Sequence, residues 1–214
     1  MLKQISIRSN IKKRWVETRH YLRRIGFFLC GMVLLTPAVI RAQLPPAAVP
    51  QKLWEASVRD VAGREVDPLW EPIHFSQTDS AQIVTKLKRR RQIPDTLYIG
   101  HVLSGDHKMD MVLSQSRGKS ELFTFAVYFA PESGKIIDVD VLEYRESYGG
   151  EIDYPVFRKQ FRGKSRPSQV VFRRTIRNIS GATISSRSMT LAVHDILVFY
   201  TQYHQNLQKI TGEH

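Results

Sequence analysis

Four β-rich runs in the middle of the chain, followed by one long helical pattern near its end, constrain the fold most strongly. The runs cover residues 96–99, 109–113, 122–129 and 136–144, and turn-forming residues at 116–119 and 131–135 separate them. Residues 185–207 then have the apolar spacing of a helix. We therefore predict an α+β domain, in which an antiparallel meander packs one sheet face against the long C-terminal helix.

Other segments carry weaker signals. Asp79 is placed to cap a helix from Ser80 to about Gln92, which Pro94 would end. Residues 154–161 predict a short helix with Pro155 in its first turn, and residues 169–176 predict a further strand. Residues 53–74 have no clear period and are predicted to be irregular, with at most one short helix.

The first 42 residues predict a signal peptide or a membrane anchor. Eight basic residues and one acidic residue precede Ile25, an apolar run covers 25–40, and the small Ala42 suits cleavage before Gln43. The run is shorter than the ~20 residues that span a bilayer comfortably, which favours a signal peptide over an anchor. We therefore expect an exported protein, either periplasmic or at the outer face of the cytoplasmic membrane.

The remainder of the chain is predicted to divide at Pro94. Residues 43–94 would form an extension that begins with a stiff Pro-rich linker at 44–50 and includes the predicted helix. Residues 95–214 would form the domain that carries the function.

Charge and cysteine content exclude several classes of protein. From Gln43 onward 23 basic residues face 19 acidic ones, so the net charge of +12 belongs mostly to the leader and no nucleic-acid partner is expected. The basic residues at 86–91 suit a solvated helix end. Because the single cysteine, Cys30, lies in the apolar run, the mature part has no disulfide, thiolate metal site or cysteine-linked haem.

Two groups of titratable residues are predicted to be ordinary surface polar residues. His101, Asp106, His107 and Asp110 lie close in sequence, but no further ligand follows at a spacing that suits a metal. His194 and Asp195 are adjacent on the predicted last helix, with no nucleophile at readable spacing. No metal site is therefore predicted.

A small-residue turn rich in hydroxyl groups precedes the last helix, at residues 179–186. Gly181 permits backbone conformations that other residues resist. A helix N-terminus offers unpaired N–H groups and a partial positive charge, which together suit a phosphate. From the residues alone, an ordinary cap formed by Ser185 or Ser186 is favoured over a phosphate site.

Residues 180–186 closely resemble the flavinylation motif of the FMN-binding domain family, which includes the C subunit of sodium-translocating NADH:quinone reductase and the G subunit of the Rnf complex. Three earlier segments extend the resemblance over about 98–203. Residues 134–142 resemble the strand after a Gly-Lys turn, 146–150 the Glu-Thr-Pro-Gly segment, and 157–164 the helix and Phe-x-Gly-Lys that follow. The chain departs from the family at Arg177, where the family has an acid, and at Ser147 and Tyr148.

The resemblance implies that FMN is joined to Thr183 through a phosphoester bond, installed outside the cytoplasm by a flavin transferase. It also implies two sets of cofactor-binding residues: Ser180, Gly181, Ala182, Ile184, Ser185 and Ser186 around Thr183, and Glu146, Ser147, Gly149 and Gly150 near the flavin ring.

Such a chain would be an electron-transfer module rather than a complete enzyme, with membrane-bound or exported redox partners. Three alternatives stay open. They are FMN held at the same turn without a covalent bond, a flavin-free exported binding or structural domain, and an anchored subunit of a larger membrane reductase.

Overall fold

Five strands form one antiparallel sheet in which neighbours in sequence are also neighbours in space. The computed structural model describes residues 44–87, 94, 96–105 and 107–211. The strands are β1 (Leu69–His74), β2 (Thr96–Ser104), β3 (His107–Arg117), β4 (Leu122–Ala130) and β5 (Lys135–Glu143). The four predicted runs are β2 to β5, so the predicted meander is confirmed. The edge strand β1 was not predicted, because Pro68 and Pro72 obscure its period.

Side chains of the central strands alternate between two apolar cores. On β4, Phe123, Phe125 and Val127 point to one face, whereas Ala126 and Tyr128 point to the other. Successive side chains of a strand project to opposite faces, so a strand that is apolar at nearly every position must be covered on both sides.

The first face is covered by the C-terminal helix and by a shorter helix near β1. These are the helices α4 (Thr183–Thr211) and α2 (Gln77–Lys86). Met189, Val193 and Ile196 of α4 share a core with Phe125. The predicted packing of the last helix on the sheet is confirmed, and the helix is longer at both ends than the predicted range.

The second face is covered by α1 (Gln51–Ala62) and by the residues before it. Leu44 and Val49 are buried, and the Leu44 N–H donates to the Leu113 carbonyl of β3 at 2.9 Å. The hydroxyls of Ser57 and Tyr128 lie 2.7 Å apart and join α1 to β4. The predicted stiff linker is therefore wrong. Its prolines prevent a strand, but the apolar residues among them pack on the sheet.

The helix α2 starts earlier than predicted. Ser76 is its N-cap and forms a reciprocal capping box with Asp79, which is therefore not the cap. The helix ends at Lys86, because Leu87 has an extended backbone. The rest of the predicted helix, 88–92, and the basic residues Lys88, Arg89, Arg90 and Arg91 lie outside the described residues.

Short helices and turns connect β5 to α4. They are α3 (Pro155–Arg158) and 3-10 turns at Gly150–Asp153, Lys159–Phe161 and Pro167–Gln169. The predicted helix at 154–161 is confirmed as α3 and the turn after it. The predicted strand at 169–176 is wrong, since the Val171 carbonyl accepts from the N–H groups of Arg174, Thr175 and Ile176 and curls the chain.

All described residues belong to one compact unit. None of the described helices combines the length and the apolar character needed to cross a bilayer.

Candidate functional site

A tight turn leads into α4 and carries the predicted motif. The Ala182 N–H donates to the Ile179 carbonyl at 3.3 Å, and Gly181 has a φ of +86°. The Ser186 N–H donates to the Ala182 carbonyl at 2.8 Å. The N–H groups of residues 183–185 therefore have no acceptor within the helix, and this end of α4 favours an anion.

Thr183 is exposed at the first position of α4. Its Oγ1 accepts a hydrogen bond from Asn178 Nδ2 at 2.9 Å. The bond fixes the hydroxyl oxygen and leaves its proton available. Ser180, Gly181 and Ile184 are exposed beside it, so this turn presents one oriented hydroxyl to solvent.

The two serines that follow are turned inward. Ser185 and Ser186 are both buried, in contrast to Thr183. Ser185 Oγ lies 2.9 Å from the Tyr144 hydroxyl, and Ser186 Oγ has no hydrogen-bond partner among the described residues. The structure thus separates the hydroxyls of the motif into two exposed ones, those of Ser180 and Thr183, and two buried ones.

The loop after β5 packs directly against the start of α4. The Tyr144 hydroxyl donates to the Tyr148 carbonyl at 2.8 Å, so Ser185 must be the donor in its contact with Tyr144. Burial raises the pKa of Tyr144, which keeps the phenol protonated in this role. Gly149 has a φ of +94°, and a Cβ there would lie 2.3 Å from the Tyr144 hydroxyl and 2.9 Å from Ser185 Oγ. The predicted Gly149 is therefore at the site, and Gly150 begins the next turn.

Glu146 holds a neighbouring turn in place. Its carboxylate accepts from the backbone N–H groups of Lys119, Ser120 and Glu121 at 2.8–3.1 Å. Burial acts to raise the pKa of Glu146, but these hydrogen bonds outweigh it and lower the pKa. Glu146 therefore shapes the β3–β4 turn, whereas the predicted Ser147 is exposed to solvent.

Glu151 lies against the motif from the inner side. A Cβ at Gly181 would lie 2.5 Å from Glu151 Oε1, and Glu151 Oε2 is buried without a hydrogen-bond partner among the described residues. Its carboxylate disfavours a second anion on that side of the turn. A phosphate therefore fits on the outer side, where Thr183 is exposed.

Two arginines can supply positive charge to that outer side. Arg187 lies four residues after Thr183, so it shares a helix face with it, and it is exposed. The Arg177 backbone is held by Gln160, which accepts from its N–H at 2.7 Å and donates to its carbonyl at 3.2 Å. The exposed hydroxyl, the free N–H groups and these cations fit a phosphate ester at Thr183.

Three residues of the site were not predicted from the sequence. Asn178, Tyr144 and Glu151 act through contacts with the motif, and two of them come from the segment after β5. The signal that could have found them is weak, since a tyrosine and a glutamate beside the predicted glycines have many other roles.

A second polar group lies at the end of the sheet away from Thr183. The prediction that Asp110 and His101 are surface residues is wrong. Asp110 is buried, its Oδ1 lies 2.7 Å from His101 Nδ1, and its Oδ2 accepts from the Tyr200 hydroxyl at 2.6 Å. Glu71 Oε2 lies 3.1 Å from the other nitrogen of His101. Asp106 lies outside the described residues, and His107 is exposed as predicted.

The prediction of a surface pair on α4 is also wrong. His194 and Asp195 lie 3.2 Å apart, but Asp195 is buried and His194 is only partly exposed, because α4 packs on the sheet. Among the residues the structure describes, no group of His, Cys, Asp and Glu side chains is arranged to hold a metal ion.

Comparison with known proteins gives one family match. Residues 118–198 match the model of the FMN-binding domain, a range that includes the Glu146 loop and the Thr183 turn. A similar solved structure is that of the C subunit of Na(+)-translocating NADH-quinone reductase from Parabacteroides distasonis. It is 12% identical, with 73% of this chain and 84% of that chain covered and a TM-score of 0.46. No curated protein matches the chain.

The family match includes every residue that forms the Thr183 turn and the loop packed against it. Residues 118–198 match the FMN-binding domain model, and this match supports FMN as the cofactor.

Proposed function

We propose that the chain is an exported electron-transfer flavoprotein in which FMN is esterified to Thr183 through its phosphate. The exposed Thr183 hydroxyl at the start of α4, oriented by Asn178, is the observation that carries this proposal. In the esterification, catalysed by a flavin transferase, the Thr183 oxygen bonds to the phosphorus of the FMN half of a flavin dinucleotide. The phosphate anhydride bond breaks, and the nucleoside monophosphate leaves and takes up the proton of the hydroxyl.

Different described residues hold different parts of the site. Asn178 orients the acceptor oxygen, and the free N–H groups of α4 with Arg187 stabilise the phosphate charge. Tyr144 and Gly149 fix the adjoining loop against Ser185. FMN, when bound, supplies one- and two-electron redox chemistry, and the protein supplies position.

Replacement of the acceptor hydroxyl tests the proposal. After co-expression with a flavin transferase, the wild-type band on a denaturing gel should fluoresce under ultraviolet light, and Thr183→Ala should be dark. Intact mass should show a gain of one FMN less one water in the wild type. Thr78→Ala, which removes another exposed threonine hydroxyl, on α2, should fluoresce like the wild type.

Each alternative gives a different result. A dark wild-type band with its unmodified mass would contradict esterification. A yellow native protein would then indicate FMN held without a covalent bond, and a colourless one a flavin-free domain. Fractionation with N-terminal sequencing separates a soluble protein that starts at Gln43 from one that keeps the leader as an anchor in a membrane reductase.

A further inference from the structure

Besides the basic residues at 86–91, one long segment of the chain after Gln43 carries positive charge without any acidic residue. Residues 154–194, here called the basic segment, contain nine lysines and arginines and no aspartate or glutamate. The rest of the chain from Gln43 onward contains 14 basic and 19 acidic residues. The domain is therefore electrostatically polar, with an excess of positive charge on one segment and of negative charge elsewhere.

Five of these nine cations are free to act on a partner, since Arg158 and Arg162 form ion pairs and Arg177 and Arg187 are assigned to the proposed phosphate. Arg158 pairs with Asp140 and Asp153, and Arg162 pairs with Asp138. The other seven cations form no ion pair with a described residue: Lys159, Lys164, Arg166, Arg173, Arg174, Arg177 and Arg187. All except the partly buried Lys164 are exposed.

The backbone presents two of these arginines on a fixed turn. The Val171 carbonyl accepts three N–H groups, and Thr175 Oγ1 accepts from the Val171 N–H at 2.9 Å. Arg173 has a φ of +62°, a conformation that costs a non-glycine residue roughly 1–2 kcal/mol. Its guanidinium lies 5.5 Å above the Phe172 ring. The turn therefore holds Arg173 and Arg174 outward at an energetic cost.

Exposed apolar side chains lie in the same stretch of chain or just before it. Tyr148, Tyr154, Val156 and Ile184 are 83%, 56%, 69% and 53% exposed. Each lies within five residues of a residue that forms the Thr183 site. Tyrosine and arginine are enriched where proteins contact one another, so this composition favours a protein surface over a lipid headgroup.

We infer that the basic segment, together with these four apolar side chains, docks an acidic electron-transfer protein against the flavin end of the domain. The inference rests on the proposed function, because docking at this end brings a redox partner close to Thr183. Arginines pair with carboxylates in a bidentate manner, and the polar charge distribution steers an acidic partner to this face.

Charge reversal with a matched control tests the inference. The test variant carries Lys159→Glu, Arg166→Glu and Arg174→Glu, and the control carries Lys52→Glu, Arg64→Glu and Lys108→Glu, which are exposed and lie outside the basic segment. Both change the net charge equally. Each flavin-loaded protein is reduced with dithionite, freed of excess reductant, and mixed with oxidised plastocyanin, an acidic protein whose copper accepts one electron.

At low ionic strength the test variant should reduce plastocyanin about tenfold more slowly than the wild type, and high salt should remove the difference. The control should stay within about twofold of the wild type, because its charges lie away from the docking face. With cytochrome c, a basic one-electron acceptor, the test variant should instead be faster. Equal plastocyanin rates for all three proteins, or equal losses in both variants, would overturn the inference.

Further measurements distinguish protein docking from lipid binding, and a failure of the docking from the absence of flavin. Sedimentation with phosphatidylglycerol vesicles that is lost in the test variant, with an unchanged plastocyanin rate, would assign the face to a lipid surface and overturn the inference. A chain that shows no flavin bleaching with dithionite would contradict the proposed function instead. Equilibrium binding of plastocyanin to that flavin-free chain then tests the docking. The affinity should be lower for the test variant than for the wild type and the control variant.

Discussion

His101 links three strands and the last helix through charge. Burial acts to lower its pKa, but hydrogen bonds to Asp110 and Glu71 and the charges of both outweigh this and raise the pKa to about 9. A base whose folded-state pKa is raised contributes stability that is complete below its unfolded pKa of about 6.5 and is lost as the pH rises through about 9.

We therefore expect the free energy of unfolding to fall between about pH 6.5 and 9, and His101→Gln to remove about 2 kcal/mol of that dependence. Partial exposure of the pair to solvent reduces the effect. Urea unfolding of both proteins across this range measures it. His107→Gln, at an exposed position, should keep the wild-type slope. A His101→Gln slope equal to that of the wild type would show that the ion pairs add nothing.

Single residues were predictable where local chemistry sets their role. Gly181 stands out in the sequence because the tight turn before α4 needs a positive φ, whereas Thr183 was identified only through the resemblance to the flavinylation motif. The residues that contact the motif were not predictable, since Tyr144 and Ser185 meet across 41 residues of sequence. His101 was misplaced for the same reason, because the burial of Asp110 depends on Tyr200, which lies 90 residues away.

The loop after β5 is held to α4 by a close approach at Gly149. A Cβ there would clash with the Tyr144 hydroxyl and Ser185 Oγ, and φ is +94°. Gly149→Ala should therefore lower the free energy of unfolding by about 3 kcal/mol, the sum of backbone strain and displaced side chains. It should also reduce flavin attachment at Thr183, measured by in-gel fluorescence.

Gly134→Ala separates these two causes. Gly134 also has a positive φ, +63°, but a Cβ there meets nothing within 4 Å. It should cost only about 1 kcal/mol and leave flavin attachment unchanged. Equal losses in the two variants, measured by urea unfolding, would show that backbone strain alone matters and that the contact with Ser185 does not.

Elements were predictable where their period was regular. Strands β2 to β5 and α4 follow from apolar spacing, because the local pattern and the tertiary packing agree. The predicted strand at 169–176 failed, since Val171 and Phe172 satisfy strand propensity while the Val171 carbonyl forms a tight turn. At the N-terminus of α2 only Asp79 was predicted as the cap, but Ser76 is the N-cap and Asp79 completes the capping box from the third helical position.

The two faces of the sheet differ in what covers them and in which face adjoins the Thr183 site. The Thr183 site and the basic segment adjoin the face covered by α4, whereas α1 and the residues before it cover the other. This second layer was not predictable from a Pro-rich stretch, because composition does not reveal that Leu44 and Val49 are buried. Stability and cofactor attachment should therefore be separable by mutation.

Leu44 offers the test of this separation. Its side chain is buried in the second core, and its N–H bonds to β3, so Leu44→Ala should lower the free energy of unfolding by about 3 kcal/mol through lost burial and a cavity. Flavin attachment at Thr183, measured on the folded protein, should stay at the wild-type level. Leu69→Ala, at an exposed position of β1, should cost about 0.5 kcal/mol or less. If Leu44→Ala costs no more than Leu69→Ala, the N-terminal residues do not belong to the folding unit, and the second face is covered by α1 alone.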